Sequence, residues 1–126
     1  MKVLCIDDDQ DDLDLYREAV KKVHASHQCV VAQNGKEVIQ LLETVKPDLV
    51  FLDINIPGLG GWELIKMIRA KRDFDHIPVY MLSTTRSASE LEMFARIGAS
   101  GCLLKPGSFH ELCLMFKSVI TEREKG

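Results

Sequence analysis

The sequence lacks both of the glycine-rich loops that usually cradle a nucleotide's phosphates: there is no GxxxxGK(S/T) loop and no GxGxxG after the first apolar run. It has no CxxC pair. Its four cysteines, Cys5, Cys29, Cys102 and Cys113, are widely spaced, and three of them lie in or beside apolar runs. They read as buried, reduced thiols, which points to a cytoplasmic location. No apolar run approaches the ~20 residues of a membrane span. Acid follows Ile6 at once, so no signal-peptide pattern is present and no membrane association is expected. Positive charge is not in excess either: 16 Lys and Arg face 19 Asp and Glu, for a net charge of −3. That argues against a nucleic-acid surface, which needs clustered cations.

What is present is a regular alternation. The 126 residues suit one domain, spanning 1–126, with a core large enough to stand without disulfides. Short apolar runs occur at Val3–Ile6, Cys29–Ala32, Leu49–Leu52, Val79–Leu82 and Cys102–Leu104. Four of the five are nearly continuous in apolar character, as strands are when both faces of a parallel sheet are covered. Between them lie stretches of helical period: Leu13, Tyr16, Val20 and Val23; Val38, Leu41, Leu42 and Val45; Leu64, Ile65 and Ile68; Leu91, Phe94 and Ala95. A last stripe runs through Phe109, Leu112, Cys113, Phe116, Val119 and Ile120, opened by the capping-box pattern Ser108 to Glu111. Asn34-Gly35, Pro57-Gly58, Ile97-Gly98 and Pro106-Gly107 punctuate the boundaries. The reading is an α/β chain, (βα) five times over, with right-handed crossovers and the doubly wound strand order 2-1-3-4-5 of a flavodoxin-like sheet.

In such a sheet ligands bind beyond the carboxyl ends of the strands. The first strand ends in Asp7-Asp8-Asp9, the third in Asp53, the fourth in Ser83-Thr84-Thr85 and the fifth in Lys105-Pro106. One edge therefore gathers carboxylates, a hydroxyl and an ammonium. Crowded carboxylates repel unless a cation intervenes. Oxygen donors of this kind suit Mg²⁺, and no His or Cys is placed among them to favour Zn²⁺. A carboxylate can also attack phosphorus, and Asp53, set in the apolar context Leu49–Ile54, is the candidate nucleophile. A metal and Lys105 would supply positive charge to the transferring group. With no nucleotide loop, the phosphoryl donor is expected to be another molecule.

These residues carry a resemblance. Ile6-Asp7-Asp8-Asp9, Leu52–Gly58, Met81-Leu82-Ser83-Thr84 and Gly98–Pro106, in that order and at strand ends, resemble the receiver domain of two-component response regulators, of the stand-alone chemotaxis-regulator type, over essentially the whole chain. The resemblance implies Asp53 as phosphoacceptor. It implies Asp7 and Asp8 as the acidic metal pair, with Asp8 favoured as the direct ligand, and the Asn55 backbone carbonyl completing the protein ligands of Mg²⁺ or Mn²⁺. Ser83 would be the switch hydroxyl, Thr84 a backbone N–H donor to phosphate, and Lys105 the phosphoryl-pairing lysine. Pro106 would follow a cis bond. The chain departs from the family pattern at Cys102, where Tyr or Phe is usual, and at Gly60 and Gly107. The aromatic half of the switch is therefore substituted here.

The same resemblance implies a histidine kinase or histidine phosphotransfer protein as donor. Output is expected through protein contacts on the fourth helix, fifth strand and fifth helix, with a homodimer through the Phe94, Leu103 and Phe109 region as one form. With Thr121–Gly126 following soon after the fifth helix, no attached output domain is expected. The domain is expected to be a signalling module and not an enzyme, catalysing only its own phosphorylation and slow dephosphorylation. Two alternatives stay open: a receiver-like module that binds partners without phosphorylation, and a small metal-dependent phosphohydrolase, which would need a general acid and a cap. Asp9 and the acids after it, Asp11, Asp12 and Asp14, read as a solvated helix start. Thr85 reads as part of a helix cap, Trp62 as a cap or loop packer, and the four histidines, His24, His27, His76 and His110, are scattered among polar residues and read as having no phosphotransfer or metal role.

Overall fold

A computed structural model describes residues 1–56, 60–84 and 87–125. The expected Pro57-Gly58 turn and Thr85 lie outside the described residues. The elements run β1 (Lys2–Ile6), α1 (Gln10–Val23), β2 (Gln28–Ala32), α2 (Gly35–Thr44), β3 (Leu49–Asp53), α3 (Gly60–Ala70), a 3₁₀ turn (Arg72–Phe74), β4 (Val79–Ser83), α4 (Ala88–Arg96), β5 (Gly101–Leu104) and α5 (Phe109–Lys125). The five strands are all parallel and lie in the order β2-β1-β3-β4-β5, so the doubly wound reading holds.

Side chains alternate across each strand, which divides the core in two. Leu4, Ile6, Val50, Leu52, Val79 and Met81 face one way and meet α2, α3 and α4 through Val38, Leu42, Leu64, Ile65, Ile68 and Phe94. Val3, Cys5, Leu49, Phe51 and Leu82 face the other way and meet α1 and α5 through Leu13, Tyr16, Val20, Leu112, Phe116 and Ile120. There Phe51 stacks on Phe116 at 4.3 Å between ring centroids. Burial on both faces is why the strands read as unbroken apolar runs. Every residue of β3 is buried.

Side chains cap the helix starts, at Ser108 as the sequence suggests. Asp9 accepts from the backbone N–H groups of Asp11 and Asp12, Asn34 from that of Glu37, and Ser108 from that of Glu111. The Glu111 carboxylate reaches back to the Gly107 N–H at 3.4 Å, one residue before the cap.

Two expectations are corrected. Trp62 does not cap α3: it lies within the helix, edge-on to Phe94 at 5.6 Å, and packs against the core. Phe94 offers no association surface, because it is buried against α3; its stripe on α4 is the one that pays out apolar area to the core. His27 is buried where β2 begins.

Candidate functional site

Strand register decides what meets at the carboxyl edge. Ile6 pairs with Leu52, so the next residues, Asp7 and Asp53, emerge side by side from adjacent strands. Ser83 pairs with Leu104, and the Lys105 N–H donates to the Ser83 carbonyl at 2.7 Å, which anchors Lys105 one step beyond the pair. Gly61 lets α3 start tight against the end of β3: a Cβ there would lie 2.7 Å from Ile54 Cα and 3.1 Å from the Asp53 carbonyl oxygen.

The resulting cluster is dense. Carboxylate oxygens of Asp7, Asp8 and Asp53 all lie within 4.8 Å of one another. Asp7 and Asp53 are buried, while Asp8 is exposed. Asp53 Oδ1 accepts from the Asn55 N–H at 3.2 Å. Asp7 Oδ1 accepts from the Asp9 N–H at 3.0 Å, and its Oδ2 accepts from the Tyr16 hydroxyl at 2.8 Å. Lys105 Nζ donates to Asp12 Oδ2 at 3.0 Å, Asp7 Oδ2 at 3.2 Å and Asp53 Oδ2 at 3.5 Å. Ser83 is buried at the end of β4, and Thr84 follows it exposed.

Electrostatics follow from this packing. Burial pushes the Asp53 carboxyl up, the Asp7 charge pushes the same way, and the Asn55 N–H and Lys105 pull it back in part. Burial alone would lower the Lys105 ammonium, but its hydrogen bond to Asp12 and the charges of Asp53 and Asp7 raise it well above the ordinary lysine range. Burial and the adjacent Asp7 raise Tyr16 far beyond an ordinary phenol, so it stays a donor. Three carboxylates thus share one ammonium, and Asp8 adds a fourth negative charge beside them. An all-oxygen donor set with uncompensated negative charge fits a hard divalent cation, Mg²⁺ or Mn²⁺, and the group contains no His or Cys.

Asp7, Asp8 and Asp53 lie together with Lys105 across Asp7 and Asp53, Asn55 donates to Asp53, and Ser83 and Thr84 follow one another at the end of β4. Pro106 is corrected. No cis peptide bond occurs among the described residues, and Lys105–Pro106 is trans. Trans is the lower-energy form by ~0.5–1 kcal/mol for an X–Pro bond, and with it Lys105 already reaches all three carboxylates. Cys102 is partly buried and packs on the α2–α4 side of the sheet, where burial raises its thiol.

Two partners escaped the sequence reading. Asp12 is no solvated helix acid, since it makes the shortest of the lysine's contacts. Tyr16 was read as core alone, yet its hydroxyl fixes Asp7. A buried tyrosine needs a partner for its hydroxyl, and that was the available signal.

A family model described as "Response regulator receiver domain" matches residues 3–117. The alkaline phosphatase synthesis transcriptional regulatory protein PhoP of Bacillus subtilis is 27% identical over 123 residues, 98% of this chain and 50% of that protein. The chain spans half or less of the length of the curated relatives it matches. Among solved structures, the receiver domain of the Francisella response regulator 1452 superposes with a TM-score of 0.80 at 28% identity, covering 98% of each chain. The Mn²⁺-bound form of response regulator Rcp1 superposes with a TM-score of 0.79 at 23% identity, covering 94% of this chain and 90% of that one, a likeness of fold.

Proposed function

This chain belongs to the response regulator receiver domain family, and we propose that it is a phosphoacceptor switch in which Asp53 takes a phosphoryl group from a phosphohistidine of a histidine kinase or phosphotransfer protein. The observation that carries this reading is the convergence of Asp7, Asp8 and Asp53 within 4.8 Å with Lys105 across them. An isolated buried carboxylate is costly, and this arrangement gives Asp53 both counter-charge and an approach from solvent beside exposed Asp8.

The Asn55 N–H holds Asp53 Oδ1, which leaves Oδ2 toward Lys105. An Asp53 oxygen attacks phosphorus in line: an O–P bond forms, the P–N bond breaks, and the electron pair returns to the imidazole nitrogen. Asp7, Asp8, Asp53 and the Asn55 carbonyl would hold Mg²⁺ or Mn²⁺, which supplies charge neutralisation to the phosphoryl oxygens when bound. Lys105 then turns toward the phosphorylated side chain, and the Ser83 hydroxyl and Thr84 N–H supply further donors. Because Ser83 and Lys105 end β4 and lead out of β5, their movement biases the α4-β5-α5 face, where signalling occurs by protein contact. The Cys102 thiol, smaller than an aromatic ring, changes how that face repacks.

Uptake of phosphoryl label in Mg²⁺ tests the reading. Wild type should label and Asp53→Asn should not; equal labelling of the two defeats the assignment.

A further inference from the structure

Lys105 has three N–H groups and three carboxylate acceptors, and the shortest contact is to Asp12, which is outside the Asp7, Asp8 and Asp53 group. The contact to Asp53, the residue the lysine is proposed to serve, is the longest. Asp12 is held in place by local structure. It sits in the first turn of α1, and its N–H donates to the Asp9 cap at 3.1 Å. Its side chain is 34% exposed and that of Lys105 23%, so water can replace either partner and the pair can open. Asp7 cannot release the lysine in the same way, because it is buried and already anchored by Tyr16 and the Asp9 N–H.

We propose that Asp12 is a positioning residue of the switch: it competes with the phosphorylated Asp53 for the Lys105 ammonium and holds the lysine back in the resting state. The proposal rests on the phosphoacceptor reading and adds a regulatory contact to it. A phosphoryl group on Asp53 brings close to two negative charges and strong acceptor oxygens. To close on them from its present 3.5 Å, Lys105 must loosen its contact to Asp12, its nearest partner. Removing the Asp12 charge frees the lysine in advance and should favour the phosphorylated state.

Calorimetric titration of the protein with beryllofluoride in Mg²⁺, a phosphoryl mimic at the acceptor carboxylate, tests this. Asp12→Asn and Asp12→Ser should bind about two- to fivefold tighter than wild type, the scale of one solvent-accessible ion pair. Asp12→Glu, which keeps the charge, should return the affinity toward wild type. Asp11→Asn removes the same charge from the same helix turn without touching Lys105 and should match wild type, which separates the contact from the general field. Thermal melts of both neutral variants verify folding. Neutral variants that bind no tighter than Asp11→Asn overturn the role of Asp12 and leave the phosphoacceptor reading standing. A wild-type protein that ignores beryllofluoride removes that reading, and this proposal with it.

Discussion

Asp7 and Lys105 each make three of the site's contacts, and Asp7 makes its own from a nearly fully buried position. Both of its oxygens are engaged, by the Asp9 N–H, the Tyr16 hydroxyl and the Lys105 ammonium, while the residue is almost fully buried. Such a carboxylate is tolerable only because its acceptors are satisfied. Tyr16→Phe keeps the ring against Phe116, 5.9 Å away, and removes only the hydroxyl. It should destabilise the fold by about 1–2 kcal/mol in urea unfolding, because it leaves a buried acceptor short of a donor. The same variant should take up phosphoryl label more slowly, since Asp7 loses one of the bonds that orients it.

At the scale of elements, the site depends on how closely helices approach strand ends. The start of α3 crosses the end of β3 at Gly61, whose N–H donates to the Ile54 carbonyl at 2.8 Å. Gly61→Ala would press a methyl group into the Ile54 backbone, which has no flexible end to give way. Overpacking of this kind costs about 1–3 kcal/mol, so the unfolding free energy should fall by that amount, and the urea midpoint with it, while the m-value holds. On the opposite edge of the sheet, the Arg69 guanidinium donates to the carbonyls of Phe74, Ile77 and Gly98. It joins the end of α3 to the turn that leaves α4. Gly98 has a φ of 103°, and a side chain there would strike Arg69, so this junction is tied at both partners.

At the scale of the whole molecule, the pH dependence of stability should carry the mark of His27. Burial lowers its proton affinity below the ordinary histidine value of 6.5. The groups facing it are the Met1 amino group at 3.3 Å, Glu124 at 4.0 Å and the His24 ring at 5.8 Å. Because the unfolded chain binds the proton more readily, stability present above about pH 6.5 is lost as pH falls toward the lower folded value. Urea unfolding between pH 8 and 5.5 should show wild type weakening with acid. His27→Gln should flatten that slope, and an unchanged slope would remove His27 as its source. Among the described residues no helix is long and apolar enough to cross a membrane.

Hydrophobic period is a local property, so the sequence by itself determined the five alternations, the apolar character of both sheet faces and the polar residues at the strand ends. Asp53 after four apolar residues and Lys105 after Leu104 were legible on those grounds. Tertiary structure alone decided which polar side chains touch. Lys105 and Asp12 are 93 residues apart, and they meet because β5 and the first turn of α1 end at the same edge of the sheet. Nothing within a window of helical period separates Asp12 from its neighbours Asp11 and Asp14, which remain exposed. The same holds for Phe94, whose stripe told that it was buried against something but not on which face, and for the Lys105–Pro106 bond, whose isomer depends on the packing around it and not on the dipeptide.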